Sequence, residues 1–251
     1  MCSSLRSQVV RTFGCPHKDR SLSASPFWGF AGNGEFTNAE LFYKAVANAR
    51  EYILYADQFM NYPDVHAAVA EALPRVERVI LVTNNKWWLE MGNTRMRHLQ
   101  NLAMRPLLES EHAHKVSIFT LVSNSSGCRR APAGHHQIYM HAKTVLVDDR
   151  FLLTGSMGLE RAGFTNDHEI GFGVYSRTHV MEYRRLLSAE YLQLPTSDPL
   201  LTTYRTDFAE WDRQANAASG RLRHYRPKKA SGFGRIGAST LYNTYEPDGR
   251  C

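Results

Sequence analysis

Apolar and polar positions along the chain follow two periods, and the elements that they predict alternate. Short apolar runs of strand length occupy residues 8–13, 52–55, 78–83, 115–122 and 169–175. Apolar residues recur at helical spacing in residues 34–50, 63–73, 94–111 and 177–192. Because strands and helices alternate, we predict an α/β fold in which a mixed β-sheet is layered between helices.

Residues 137–156 combine a strand pattern with side chains that can act on a phosphate. His141 and Lys143 lie two positions apart in a run rich in Val, Leu and Tyr, which predicts one strand with both side chains on the same face. Asp148 begins a polar turn, and after a second apolar run the chain reaches a polar loop at Ser156. Imidazole can attack phosphorus or donate a proton, and an ammonium group can neutralise phosphate oxygens. The alternative is a buried strand whose His and Lys only cap a sheet edge.

The spacing of these residues carries a resemblance. His-x-Lys, four residues, Asp, six residues and Gly-Ser, beginning at His141, resembles the HKD signature of the phospholipase D superfamily. The resemblance continues past Ser156, because residues 166–172 look like that family's trailing acidic segment, in which Glu169 would orient a catalytic histidine. Gly158 departs from the pattern, since the family usually has a phosphate-binding Asn there.

The first part of the chain also resembles the start of the second half of two-motif phospholipases D. That half begins with an Arg-Thr strand and a Gly-Glu pair, followed by a helix and a strand ending in Glu-Asp-Gln-Tyr. The corresponding segments here are Arg11-Thr12, Gly34-Glu35 and Ala56-Asp57-Gln58-Phe59. On this resemblance Gln58, Ser156 and Glu169 would bind substrate. The resemblance runs from about residue 9 to about residue 195 and indicates one phospholipase D-like half-domain.

The resemblance implies a phospholipase D-type phosphodiesterase that hydrolyses or transphosphatidylates glycerophospholipids through a phosphohistidine. It implies no metal and no cofactor. His141, Lys143 and Asp148 would be catalytic, with His141 as proton donor and acceptor. Because the chain has one His-x-Lys motif, it would need a second HKD half, from a homodimer or from a longer chain.

Two alternatives to this function stay open. The chain can be a silent or truncated paralogue that binds anionic lipid or nucleic acid as a module. It can also be a one-motif, homodimeric, nuclease-like phosphodiesterase. The sequence leaves open the head group and the choice between hydrolysis and transfer.

Composition adds modest information about partners. The chain is 43% hydrophobic and 22% charged, which is typical of a soluble globular protein. Its formal net charge of +6 favours anionic partners, and residues 221–229 form a basic run. Trp87 and Trp88 can contact a lipid interface or pack under a loop. We therefore expect a phospholipid substrate with possible peripheral membrane contact, and we favour this over nucleic acid.

The domain organisation follows from the change in composition near residue 195. We predict a catalytic half-domain in residues 8–195 and a C-terminal extension in residues 196–251 that ends in a partly irregular basic arm. The four cysteines lack metal-ligand spacing and are predicted to be free thiols. Without an apolar run that indicates a signal peptide or a transmembrane helix, the expected location is cytoplasmic or peripheral to a membrane.

Overall fold

The computed structural model describes residues 5–14, 33–85, 90–124 and 135–225, with the side chains at 90–96, 124, 135 and 136 outside this description. The four cysteines, Trp87 and Trp88 lie outside the described residues, as does the basic run beyond residue 225. The predictions made for those residues therefore stay predictions.

The described residues form strands and helices in alternation through the first half of the chain. The strands are β1 (Arg6–Phe13), β2 (Glu35–Phe36), β3 (Tyr52–Asp57), β4 (Arg78–Val82), β5 (Val116–Asn124), β6 (His135–Gln137), β7 (Lys143–Val147), β8 (Phe151–Gly155), β9 (Glu169–Tyr175) and β10 (Leu222–His224). The helices are α1 (Thr37–Asn48), α2 (Pro63–Ala72), α3 (Glu90–Ala103), α4 (Arg105–Leu108), α5 (Arg161–Thr165), α6 (Arg177–Leu192) and α7 (Tyr204–Ala217).

One mixed sheet contains these strands in the order β10-β5-β4-β3-β7-β8-β9-β1-β2, and β6 pairs with β5 beside this path. Strands β3, β4 and β5 are parallel to one another, and helices α2 to α4 connect them. From β3 through β7, β8, β9 and β1 the pairing is antiparallel. The centre of the sheet is therefore the junction between β3 and β7, where the parallel and antiparallel halves meet.

Helices cover both faces of the sheet, and each face has its own apolar core. Strand β3 shows why, because its six residues are all buried and alternate between the two faces. Ile53 and Tyr55 join the core under α1 and α2, whereas Leu54 and Ala56 join the core under α6 and α7. A strand buried on both faces reads as a continuous apolar run rather than an alternating one. The predicted α/β fold with a layered mixed sheet is confirmed.

One helix differs from the prediction. The helix expected over residues 94–111 is interrupted at Met104, because Pro106 in the first turn of α4 cannot donate to the preceding turn. Part of the predicted C-terminal extension packs on the sheet, since Trp211 of α7 is fully buried and β10 pairs with β5. The described helices include none that is long and apolar enough to cross a membrane.

Candidate active site

Lys143 lies at the centre of the sheet, where it is the first residue of β7. Its register partner in the antiparallel pair is Asp57, the last residue of β3. The Lys143 side chain is only 9% exposed, and its Nζ lies 3.9 Å from Asp57 Oδ1. Within the described residues Nζ has no hydrogen-bond partner. The ammonium group is therefore buried beside one carboxylate, with its N–H donors unused.

His141 lies just before β7, on a segment that is not a strand. The prediction of one continuous strand through His141 and Lys143 is wrong, because residues 138–142 have no regular structure. Strand β6 pairs with β5 and β7 pairs with β3, so the chain between them must pass the end of β4. The crossing leaves the His141 side chain exposed, two residues before the buried Lys143.

Asn84, two residues after β4, fixes this crossing. Its side-chain amide donates from Nδ2 to the Met140 carbonyl oxygen at 2.9 Å, and its Oδ1 accepts from the Met140 backbone N–H at 2.8 Å. Gln137 also donates to Asn84 Oδ1, at 3.2 Å. Because Asn84 is 1% exposed, these bonds replace the strand pairing that the Met140 backbone lacks. They hold the residue immediately before His141.

Ser156 and Glu169 lie side by side at the ends of β8 and β9. The Ser156 hydroxyl donates to Glu169 Oε2, and it accepts from the Ile170 backbone N–H at 3.1 Å. The Ser156 N–H donates to the Ile170 carbonyl oxygen at 2.9 Å. Sequence reasoning expected Glu169 to orient a histidine, but in the described part of the chain its carboxylate binds Ser156 and His141 forms no hydrogen bond.

Asp148 lies at the other end of β7 from Lys143, roughly 16 Å away at the rise of a β-strand. Its buried carboxylate accepts hydrogen bonds from the backbone N–H groups of Arg50, Glu51 and Tyr52, at 2.7 to 2.8 Å. These bonds join the turn after β7 to the start of β3. The structure thus gives Asp148 a structural contact and places it apart from Lys143.

We expect Asp148→Asn to lower the free energy of unfolding by about 1–3 kcal/mol, because an amide offers one acceptor oxygen to three buried N–H groups. Turnover per folded molecule should be unchanged. Chemical denaturation and kinetic assays on the same preparation measure both quantities. A loss of turnover without loss of stability would instead place Asp148 in the chemistry.

Gln58 follows Asp57 and borders the same region. It is 9% exposed, and its Oε1 lies 3.5 Å from the hydroxyl group of Tyr139, which is the donor. Tyr139 precedes His141 by two residues on the crossing segment. Gln58 is therefore close to the His141 segment, whereas Ser156 and Glu169 form a separate hydrogen-bonded pair at the neighbouring strand ends.

Comparison with protein families decides the assignment of the chain. A family profile described as cardiolipin synthase, PLD-like domain, matches residues 42–190, which is more than half of the chain. The chain belongs to the phospholipase D superfamily. The matched residues include Lys143 and the strands on both sides of it. The resemblance inferred from the spacing of the motif is confirmed.

Three solved structures are similar to this phospholipase D-like chain. NucT from Helicobacter pylori is 13% identical over 73% of this chain and 93% of its own, with a TM-score of 0.47. The phospholipase D family member Nuc from Salmonella typhimurium is 14% identical over 89% of this chain and 99% of its own, with a TM-score of 0.44. Phosphatidylserine synthase from Haemophilus influenzae is 11% identical, with a TM-score of 0.52.

These similarities concern the fold alone, because the identities are low. The phosphatidylserine synthase match covers 98% of this chain and 47% of that protein, so the chain spans about half of that protein's length. A comparison with curated proteins gave no match.

Gly158 is where this phospholipase D-like site departs from the usual motif. The space that a side chain would take there is filled, because a Cβ atom added to Gly158 would overlap the Glu160 carboxylate. Glu160 is 9% exposed. Placing Asn at position 158 therefore requires Glu160 to move, which the sequence pattern could not show.

Sequence reasoning assigned no role to Asp57, Asn84 or Tyr139. Asp57 is fully buried, and its Oδ2 accepts from the Leu159 backbone N–H at 2.8 Å, so it touches both Lys143 and the loop after Ser156. A signal existed, since Asp57 and Asn84 are polar residues at the carboxyl ends of two buried, apolar strands. In α/β sheets, side chains at such strand ends commonly form the functional site.

Proposed function

We propose that this chain supplies one half of a phospholipase D-type active site that cleaves or transfers the phosphodiester of a glycerophospholipid. Lys143 binds the phosphate oxygens, and His141 donates a proton to the leaving alcohol and later takes one from the attacking water or alcohol. A histidine from a second HKD half attacks phosphorus and carries the phosphatidyl group between the two steps.

The observation that carries this proposal is the unused ammonium group of Lys143. A buried cationic donor without a hydrogen-bond acceptor is costly to a folded protein. A bound phosphate diester would supply anionic oxygens to those donors, and charge-assisted hydrogen bonds of this kind are strong. We infer that the exposed imidazole of His141, two residues earlier in the chain, reaches the same phosphate.

The proposal needs a second half because one histidine cannot act from both sides of the phosphorus. In an in-line displacement the nucleophile and the leaving group lie on opposite sides of the reacting atom. The described part of the chain contains one His-x-Lys motif, at His141. A second copy of this chain, or the other half of a longer protein, would bring the opposed histidine.

The test is an assay of the full chain on mixed phospholipid vesicles containing ethanol, across a wide range of protein concentration. We expect phosphatidic acid and phosphatidylethanol as products, with specific activity that rises as the chain dimerises in parallel mass measurements. High, constant specific activity from a monomer would contradict the half-site.

Two further substrates separate the alternatives in the same assay. Cleavage of single-stranded DNA without cleavage of lipid would favour a nuclease-like phosphodiesterase. No cleavage of lipid, DNA or bis(4-nitrophenyl) phosphate at any concentration, in the presence of tight vesicle binding, would favour a silent binding module.

A further inference from the structure

Asp57 is the carboxylate that faces the proposed phosphate-binding lysine. It ends β3 directly opposite Lys143 in the antiparallel register, and the side chains of the two residues are 0% and 9% exposed. Asp57 Oδ1 and Lys143 Nζ lie 3.9 Å apart, so the two side chains form an ion pair at a distance too long for a hydrogen bond. The pair is therefore held by charge, in a place from which water is largely excluded.

The hydrogen bonds of Asp57 go to the backbone instead. Oδ1 accepts from the Phe59 N–H at 3.0 Å, and Oδ2 accepts from the Leu159 N–H at 2.8 Å. These contacts fix the carboxylate between the end of β3 and the loop that follows Ser156. Asp57 thus stays in place when a ligand reaches Lys143, whereas the donors of Lys143 are free to turn to that ligand.

Several titratable groups lie on the elements around Asp57, and they include the exposed His141 on the crossing segment. Lys143, across the strand pair, is the cation that acts on it. Tyr139, on the crossing segment, is a neutral phenol whose pKa is raised by desolvation and by the charge of Asp57. On the loop after Ser156, Glu160 lies over Gly158, and Glu169 is bound to Ser156 at the neighbouring strand end.

We propose that Asp57 is the counter-ion of Lys143, and that binding of a phosphate diester to Lys143 is coupled to uptake of one proton by Asp57. The inference rests on the proposed phosphodiester site. A diester brings one negative charge to an ammonium that already has a carboxylate partner. Two anions then share one cation in a buried place, and a proton on Asp57 relieves the repulsion. The proton comes from solvent, and no covalent bond of the diester changes.

The ordinary state of Asp57 favours such a coupling. Burial raises the pKa of the Asp57 carboxyl to about 6, against the lowering effect of Lys143 and of the backbone N–H groups. A second negative charge nearby would raise this pKa further, toward neutral pH. By linkage, affinity for the diester then falls as pH rises above about 6, by up to about tenfold per pH unit, until the pKa of the complex is reached.

Calorimetry with diethyl phosphate tests this inference on the full chain, because this diester stays a monoanion between about pH 5 and about pH 8. Titrations at about pH 7 in buffers of different ionisation enthalpy report the number of protons taken up. For the natural chain we expect that a fraction of one proton is taken up per diester bound, and that the affinity falls with rising pH. Because the proposed function places the exposed His141 beside the same phosphate, Asp57→Asn is compared in a His141→Gln background. We expect His141→Gln alone to keep the uptake. The double variant should show no uptake, affinity independent of pH, and binding about tenfold tighter than His141→Gln at about pH 8.

The direction in which Asp57→Asn changes the affinity for diethyl phosphate separates the proton coupling from a merely structural role of Asp57. Diester binding by the natural chain without proton uptake, or weaker binding by folded Asp57→Asn, would overturn the inference while leaving the proposed site intact. Glu109→Gln is the control, since Glu109 lies in an exposed ion pair with Arg105, and it should keep the proton uptake because Asp57 carries the proton. Should Asp57→Asn unfold, uptake that persists in both His141→Gln and Glu109→Gln still supports the inference, and loss of the uptake in His141→Gln overturns it.

Absence of binding has a different meaning. We expect Lys143→Met to bind diethyl phosphate at least tenfold more weakly, since it removes the ammonium. A natural chain that binds no diester, or that binds it as tightly as Lys143→Met, would overturn the proposed function and the coupling with it.

Discussion

His141→Ala and Lys143→Ala should each lower kcat/KM for a phosphodiester by about a hundredfold or more. His141→Ala removes the exposed imidazole that is proposed to exchange the proton with the leaving oxygen. Lys143→Ala removes the buried ammonium whose donors have no other acceptor in the described residues. Steady-state kinetics with the substrate found in the vesicle or diester assay gives both values.

The two losses should have different signatures. Added imidazole should restore part of the activity of His141→Ala, because a diffusible acid and base can enter the exposed position. It should not restore Lys143→Ala, whose missing charge lies in a buried place. The matched controls are His112→Ala and Lys44→Ala, since His112 faces Glu111 and Lys44 pairs with Glu40 outside the candidate site. Full turnover in His141→Ala would place the catalyst elsewhere.

Much of the fold was predictable because the buried strands have their own apolar patterns. The runs that became β3, β4, β7 and β8 are short, rich in Val, Leu and Ile, and bounded by polar residues. The spacing of the motif then placed Lys143 in β7, and Ser156 and Glu169 at neighbouring strand ends. These features lie in one continuous stretch of the chain, residues 143–169, where sequence reasoning is effective.

The crossing segment was not predictable from local pattern. Ile138 and Met140 alternate with Tyr139 and His141 as in a strand, and nothing nearby in the sequence shows that β4 lies between β6 and β7. The residue that fixes the crossing, Asn84, is 56 positions away from Met140. Contacts across such distances depend on the order of strands in the sheet, which the sequence pattern did not give.

The same limit explains why Asp148 was read as catalytic. Its place in the motif is identical whether its carboxylate faces the substrate or the backbone of Arg50 to Tyr52. Only the pairing of β3 with β7 brings those N–H groups to the turn. Next in sequence, Asp149 begins a second buried network, which ties the turn to α6 and α7.

Arg184 is the centre of that network and is fully buried. Its Nε donates to Asp149 Oδ1 at 2.7 Å, and its Nη1 donates to Asp207 Oδ2 at 2.5 Å. The hydroxyl group of Tyr52 also donates to Asp149, at 2.7 Å. One guanidinium group therefore joins the β7–β8 turn, helix α6 and helix α7, and it balances two carboxylates.

Arg184→Met should lower the free energy of unfolding by about 3–5 kcal/mol, because it leaves two buried carboxylates without their cation. Chemical denaturation measures this loss. Arg105→Met is the control, since Arg105 pairs with Glu109 on an exposed helix surface. A surface pair of this kind contributes about 0.3–0.5 kcal/mol.

The loss in Arg184→Met should also depend on pH, and its sign identifies the cause. Burial raises the pKa of Asp207 to about 6, against the lowering effects of Arg184 and of hydrogen bonds from Ser188 and Trp211. Without Arg184 this pKa rises further, so the folded variant holds a proton that the unfolded chain releases. The stability that protonated Asp207 contributes is fully present below the pKa of this residue in the unfolded chain. It is lost as pH rises through the pKa of Asp207 in the folded variant.

The destabilisation of Arg184→Met should therefore be larger at about pH 8 than at about pH 5. The double variant Arg184→Met with Asp207→Asn should recover part of the lost free energy of unfolding at the higher pH, since one of the two unpaired carboxylates is removed. Denaturation curves at both pH values decide between charge and packing. An equal loss at both, with no recovery in the double variant, would show that Arg184 stabilises the fold through its packing and not through its charge.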